Sequence, residues 1–382
     1  MAKNLVWIAV AALALAGCAA DSGGAQAAPE RARAADPAPA AASASADQVA
    51  GLHVPPGFVI EQFAGNLPEV RTIRSGPDGM LYVALSQRGR IVRLDPAQKI
   101  APVTIAEGLN QPYGLAFHSG DLYVGENDQV VRLKGPAFRE KTVIIPNLPT
   151  EGHWTREITF GADSMLYLSV GSSCNLCEED DPIRAAISRY RPDGSGGTVI
   201  AKGLRNAAGL ALNPTTGAIW ASQNERDNLG DDIPPEEIDV LSDGTDFGWP
   251  YCYGNRQPNP EYRRLANRCA STTPPALTMQ AHSAPLGVAF YTGTQFPEEW
   301  RGDFFVAFHG SWNRRQKTGY LLAHVDVKDG RPVSYEPFAW GWLTPNGDVT
   351  GRPVYPSVGP DGNLYLSDDL GGRIYRIRWV GR

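Results

Sequence analysis

The sequence predicts an all-β chain, a six-bladed β-propeller of four-stranded antiparallel blades. A tight Gly/Asp turn, an alternating apolar strand, a polar tip and a second short strand recur six times along it. Marker positions in these copies, Leu81, Leu122, Leu166, Ile219, Phe304 and Leu364, mostly fall about 40–60 residues apart, the span of one blade. Amphipathic helical periodicity is nearly absent, which argues against an α/β sheet.

The copies run in order. "GPDGMLYVALSQRGRIVRLD" begins at Gly76, "HSGDLYVGENDQVVRLK" at His118, "GADSMLYLSVGSSCN" at Gly161 and "NPTTGAIWASQNERD" at Asn213. "WRGDFFVAFHGSWNR" follows at Trp300 and "GPDGNLYLSDDLGGRIYRI" at Gly359. Gly, Asp and Asn make the turns, and period-two alternation makes the strands. The long interval from Ile219 to Phe304 holds an insertion rich in Pro, Asn and Arg. The charged and polar residues gather at strand ends, where a propeller builds an axial site from the loops of several blades.

The ends of the chain read differently. Residues 1–18 combine Lys3, the apolar run "LVWIAVAALALAG" and Cys18, the pattern of an export signal too short to span a bilayer. "LAGC" resembles the lipobox of bacterial lipoproteins, which implies lipidation of Cys18 and a membrane-anchored protein of the bacterial cell envelope, facing the periplasm. Residues 19–49 are Ala, Pro and Ser with few large apolar side chains, so they are expected to form a disordered tether. The folded body then covers 50–382. A net charge of −6 with no basic run argues against a nucleic-acid partner. The remaining cysteines form two local pairs, Cys174/Cys177 and Cys252/Cys269, which export to an oxidising compartment makes candidate disulfides. "CNLC" lacks the following histidine of a haem-attachment motif.

The chemistry-bearing residues lie in the loops. "EGHWTREITF" places His153 just ahead of a strand, as a candidate general base. "KGLRNAAGLALNP" sets Arg205 beside Asn206, a fork and an amide suited to a carboxylate or a quinone edge. "NERDNLGDDIPPEEIDVLSDGTDFGWPYCYG", residues 224–254, carries Glu225, Asp227, Asp231, Asp232, Glu236, Glu237 and Asp239. Its prolines argue against regular structure, and its carboxylates and loop carbonyls are the ligands of a hard cation such as Ca²⁺, or else a solvated acidic loop. His282, His309, Arg314, Lys317 and Arg352 follow, several beside aromatic residues. A basic, aromatic-lined pocket facing an acidic loop suits a planar polyanion.

The motifs "GHWTREITFGADSMLYLSVGSSCNLCEEDDP", "GLRNAAGLALNP", "GDDIPPEEIDVLSDGTDFGWPYCYG", "AHSAPLGVAFY", "HGSWNR" and "GRPV" followed by "GPDGNLYLSDD" span most of residues 50–380. Together they resemble the glucose/sorbosone dehydrogenase family, six-bladed propellers that use pyrroloquinoline quinone (PQQ) and Ca²⁺, and most of all its sorbosone branch. The resemblance implies oxidation of an aldose or sugar aldehyde, with electrons passed to an external acceptor, a cytochrome or quinone. His153 matches the catalytic base, which takes a proton while hydride moves to the quinone. Arg205 and Asn206 match the pair that faces the quinone oxygens, and Arg352 matches an arginine that pairs with a cofactor carboxylate. The loop Gly230, Asp231, Asp232 to Pro234 matches the segment whose carbonyls hold the catalytic Ca²⁺, and Glu236 or Glu237 would serve a second, structural Ca²⁺. Gln111 matches a cofactor-facing glutamine. Spacing leaves His309, Arg314 and Lys317 all open for the cofactor-binding lysine of the family.

The remaining residues carry plainer expectations. His53, His118 and His324 read as surface or turn residues, and His282 either joins the pocket or braces a blade by bonding the backbone. Trp249, Trp300, Trp312, Trp340 and Trp342 read as inter-blade packing. Two rival functions stay open: a metal-dependent lactonase, and a non-catalytic propeller that binds a sugar or a protein partner.

Overall fold

The structure is a computed structural model and describes residues 49–381. Cys18 with its lipobox and nearly all of the tether lie outside the described residues. No helix among the described residues is long and apolar enough to cross a membrane.

Six antiparallel sheets of four main strands make the six blades. The innermost strands are Val70–Ser75, Leu115–His118, Ile158–Phe160, Ala207–Leu212, Pro285–Phe290 and Pro353–Val358, which we number blades 1 to 6. Each sequence marker lies at or next to the start of the second strand of its blade: Leu81–Leu85, Asp121–Glu126, Leu166–Val170, Ile219–Gln223, Phe304–Phe308 and Leu364–Asp368. Most of these second strands are buried along their whole length, because both faces pack against neighbouring blades. The ring closes where Phe58–Ala64, the first strand of the described residues, pairs antiparallel with Arg373–Trp379, the third strand of blade 6. Phe58 seals that junction edge-on against Phe296, Trp300, Phe338 and Trp379.

The prolines of the acidic stretch do not exclude regular structure throughout. Pro234 and Pro235 end the loop, and Glu236–Val240 then forms the third strand of blade 4. Proline disrupts only the ladder position that it occupies, so a strand can begin directly after it. The insertion follows that strand. It lends Thr245–Asp246 as a parallel fifth strand to blade 3, then folds a small hairpin, Cys252–Tyr253 with Gln257–Pro258, and a 3₁₀ segment, Pro260–Ser271. The Cys252–Cys269 disulfide ties the hairpin to that segment.

On the axis, Arg74 of blade 1 donates to Glu157 at 2.9 Å, and Tyr355 of blade 6 donates to the same carboxylate oxygen at 2.7 Å. Arg74 also bonds the Tyr355 hydroxyl. This buried knot joins three innermost strands. Burial holds the Glu157 carboxyl up at about 7, although Arg74 pulls the other way.

Candidate active site

In an antiparallel blade, the start of the first strand and the end of the second lie on the same face. His153, Arg205, His282 and Arg352 precede innermost strands, whereas Glu225, His309 and Asp369 follow second strands, so the topology gathers them at one end of the propeller.

His153 lines a pocket of ≈ 140 Å³ with Arg205, Asn206, Asn224, Glu225 and Asp227, and with Glu236, His282, Trp312 and Asn313. The loop that carries it is pinned by the buried Arg156, whose guanidinium donates to the carbonyls of His153 at 2.7 Å and Thr155 at 2.9 Å, and to that of Pro149. The neighbouring Trp154 meets Tyr113 edge-on and lies under the Arg71 guanidinium. The arginine and tryptophan beside His153 are therefore the scaffold of its loop.

His153 Nδ1 lies 2.9 Å from the Ser172 carbonyl and 3.1 Å from the Ser172 hydroxyl. A carbonyl only accepts, and that hydroxyl already donates to the Cys174 carbonyl at 2.6 Å. The Nδ1 proton is thus fixed, and Nε2 keeps its lone pair. Burial, then the positive charge of Arg205, holds the imidazole down at about 4, so it is neutral at pH 7. Gly171 lets His153 and Asn206 approach each other; a Cβ there would sit 2.7 Å from His153 Cβ and 2.6 Å from Asn206 Oδ1.

All five N–H groups of Arg205 have protein acceptors. Nε and Nη2 donate to the Asn175 carbonyl (3.1 Å) and Oδ1 (3.0 Å), Nη2 also to Asp227 Oδ2 (2.9 Å), and Nη1 to the carbonyls of Asn224 (3.3 Å) and Glu225 (2.9 Å). Arg205 therefore offers this pocket its charge; its hydrogen bonds are already made.

Other positively charged groups have donors to spare. Arg314 Nη2 bonds Asp232 at 3.0 Å, while its Nε and Nη1 are buried without an acceptor. Arg352 Nη2 bonds His309 Nδ1 at 2.8 Å, and its Nε is likewise buried and unpaired. His309 in turn faces Asp369 at 3.1 Å, and Asp369 pairs with Arg71 at 3.0 Å. Burial lowers His309 to about 4, against the pull of Asp369. Lys317 is exposed and bonds the Gly347 carbonyl at 2.8 Å. Gln111 accepts from Asn127 at 3.1 Å and lies beside Gln87, outside the residues that line the His153 pocket.

The acidic stretch divides in two. Asp231 and Asp232 turn their carboxylates to Arg315 (2.7 Å) and Arg314 (3.0 Å). The carbonyls of Gly230 and Ile233 both reach His282 Nε2, at 2.6 and 3.2 Å, so two loop oxygens converge on one point beside the pocket. His282 thus does both things allowed by its sequence, bonding backbone and lining the pocket. The second part is buried. Glu236 accepts from the backbone N–H groups of Glu225 (2.8 Å) and Ala284 (3.1 Å), and burial raises its carboxyl to about 8. Gln223 donates to Glu225 (2.9 Å) and Glu237 (2.8 Å), and the Gly254 N–H donates to Glu237 (2.8 Å). Both oxygens of Asp239 and Oε1 of Gln223 have no partner. Burial raises Glu225 to about 7, and raises Glu237 and Asp239 well above the usual carboxylate range, helped at Glu237 by the charges of Asp239 and Glu225 and at Asp239 by that of Glu225. Arg226, nearby, is committed to Glu261 at 2.7 Å. Buried carboxylates with orphaned oxygens and no spare cation fit a hard divalent ion.

Both cysteine pairs are disulfides. Among the described residues, the one compact trio of ligand-type side chains is Cys174, Cys177 and Glu179, and the disulfide removes its thiolates as ligands. Two plainer expectations need correction. Trp312 is 72% exposed at the pocket rim and packs between no blades. His324 is buried in the strand Leu321–Lys328, bonded to Asp303 at 2.8 Å. His118 is half-exposed beside the Ser119–Gly120 turn, as expected, and stacks on Phe160 at 4.3 Å. Sequence reasoning passed over Ser172, Asn175 and Asn313, and named Asp227 and Asp239 only as members of an acidic run. Their roles depend on contacts between loops and strands that meet only in the folded chain, within a blade for Ser172 and Asp239 and between blades for Asn175, Asp227 and Asn313, which no local motif displays.

The TrAA12-like family model matches residues 52–262 and 257–380. An uncharacterized protein of Borreliella burgdorferi is 30% identical over 85% of this chain and 90% of its own length. The aldose sugar dehydrogenase YliI of Escherichia coli is 25% identical over 63% of this chain and 64% of its own length. A pyrroloquinoline quinone-dependent sugar dehydrogenase of Hypocrea jecorina is 24% identical over 68% and 69%. The holo PQQ domain of pyranose dehydrogenase from Coprinopsis cinerea superposes with a TM-score of 0.75 at 22% identity, covering 87% of this chain and 98% of that one. That likeness is one of fold.

Proposed function

This chain belongs to the TrAA12-like family, and from that premise we propose that it is a PQQ- and Ca²⁺-dependent sugar dehydrogenase. The observation that carries the reading is His153: a neutral imidazole with its Nδ1 proton fixed and its Nε2 lone pair free, lining a pocket beside a fully coordinated arginine. Relatives named as sugar dehydrogenases support an oxidoreductase acting on a sugar. Within that class, an aldose or a sorbosone-like sugar aldehyde is the proposed substrate.

When bound, PQQ would supply the two-electron acceptor, with Ca²⁺ polarising its quinone. The unpaired buried N–H groups of Arg314 and Arg352 fit carboxylates of such a planar acid, which makes Arg314 the fifth-blade cation in preference to His309 or Lys317. The Gly230 and Ile233 carbonyls are the proposed catalytic Ca²⁺ ligands once His282 turns aside. Asp239, whose two oxygens are unpaired, with its neighbour Glu237 and the orphaned Gln223 Oε1, is the proposed structural site. His153 Nε2 takes the substrate hydroxyl proton, and the Arg205 charge keeps that nitrogen unprotonated until it does so. Electrons would leave to a separate acceptor, and the lipobox supports an envelope-anchored, periplasmic location.

The test is dye-coupled oxidation across a panel of aldoses by full-length protein loaded with PQQ and Ca²⁺, beside His153→Ala. The reading predicts turnover that the substitution abolishes while PQQ still binds. Equal turnover in the variant would remove His153 from the chemistry.

A further inference from the structure

The CxxC loop takes no part in the chemistry proposed above, yet it lies between the two side chains that do. Asn175 Oδ1 accepts from Arg205 Nη2 (3.0 Å) and from the backbone N–H of Asp227 (2.8 Å). Its carbonyl accepts from Arg205 Nε (3.1 Å) and from the Trp249 indole (3.3 Å), and its Nδ2 donates to the Asp227 carbonyl (3.1 Å). Two of the Arg205 donor contacts therefore end on Asn175 and a third ends on Asp227, which Asn175 itself holds. At the other end of the loop, the Cys174 carbonyl takes the Ser172 hydroxyl proton, which commits that hydroxyl to receive His153 Nδ1.

An asparagine can present its carbonyl and its side chain to one guanidinium only if the backbone on both sides is fixed. The Cys174–Cys177 bond fixes it over a separation of three residues, and Glu179 ties down the entry by accepting from the Ser173 N–H (2.7 Å) and hydroxyl (2.9 Å). Holding a charge in place before reaction avoids reorganisation during it.

We infer that Asn175, clamped by the Cys174–Cys177 disulfide, is a positioning residue for Arg205 and that the same clamp orients His153 through Ser172. This rests on the reading of His153 as the base. The charged groups that act on His153 are Arg205, Arg156 and Arg184, all of which lower its proton affinity, and Arg205 contributes the largest share among them. Releasing Arg205 must therefore raise the His153 titration midpoint.

The experiment is histidine-selective ¹⁵N NMR of the cofactor-free full chain, with the His153 signal assigned through His153→Gln and Tm measured alongside. Asn175→Ala and the double variant Cys174→Ala/Cys177→Ala should move the midpoint from about 4 toward that of a free imidazole. In the loaded enzyme, kcat should fall about 10- to 100-fold, with KM changing far less. Asn175→Asp, which keeps the acceptor for Arg205, should recover part of the loss. Val83→Ala, which opens a cavity in the buried second strand of blade 1 and touches neither Asn175 nor Arg205, should lower Tm and leave the midpoint unchanged. The inference is overturned if Asn175→Ala lowers only Tm, or if Val83→Ala moves the His153 midpoint equally. Should the wild type oxidise no sugar, the proposed function fails, while the NMR result still decides the clamp.

Discussion

Gly171→Ala tests the packing that brings His153 and Asn206 together. The added Cβ would meet Asn206 Oδ1 at 2.6 Å and His153 Cβ at 2.7 Å, with His153 Cγ at 3.2 Å. Ordinary contacts between such atoms are about 3.5–4 Å, so roughly 1 Å of separation has to be found on each side. Neither neighbour yields easily: His153 is tied to Ser172 by backbone and ring, and Asn206 Oδ1 accepts from Thr155 at 3.2 Å. Overpacking of this kind costs about 1–3 kcal/mol of stability. A 1 Å displacement of a reacting group costs on the order of 100-fold in rate. The two effects separate in a paired measurement of Tm by calorimetry and of kcat/KM by dye reduction. The expected result is a protein that melts a few degrees lower yet remains folded, with kcat/KM down about 100-fold. Full activity in Gly171→Ala would refute the reasoning, because the base and its amide neighbour would then have tolerated the displacement.

Three further outcomes follow from the same site. Activity requires neutral His153, whose folded-state midpoint is about 4, so kcat/KM should be flat above that pH and fall as pH drops through it. A break near 6.5 in a pH–rate profile would contradict the burial and charge described for it. Arg314→Ala should weaken PQQ binding by about 10- to 100-fold in a fluorescence titration, since a charge-assisted bond contributes about 1.5–3 kcal/mol, whereas Lys317→Ala should leave it unchanged. In cation-free protein, Glu225 and Glu236 have raised midpoints of about 7 and 8, so the folded state binds more protons than the unfolded one above the usual carboxylate range. Stability should then fall as pH rises from about 5 to 8, and added Ca²⁺ should raise Tm more at pH 8 than at pH 5. An equal shift at both values would count against ionised carboxylates as the ligands.

The blades were legible because each repeats the same local instruction. Gly, Asp and Asn supply the turn, and an alternating run such as Leu81–Leu85 or Leu364–Asp368 supplies the second strand. The Glu236–Val240 strand was obscured by Pro234 and Pro235, which end a loop and say nothing about the residue that follows them. His153, Arg205 and Asn206 were legible as loop residues ahead of strands, and both disulfides were legible as local pairs. Spacing could not choose among His309, Arg314 and Lys317, because the choice depends on what each meets: Asp369 and Arg352, Asp232, or the Gly347 carbonyl. Nor could sequence show that Arg205 is fully engaged by residues 175, 224, 225 and 227, whose convergence exists only once blades 3 and 4 are side by side.

The central claim is that this pocket binds PQQ with Ca²⁺ and uses His153 as the base. The most direct measurement titrates PQQ into the Ca²⁺-loaded full-length protein while following its absorbance, then adds sugar to the wild type and to His153→Ala. The account predicts saturable binding in both proteins and sugar-dependent bleaching of the quinone in the wild type alone. Absence of PQQ binding to folded, Ca²⁺-loaded protein, or equal bleaching in His153→Ala, would contradict it.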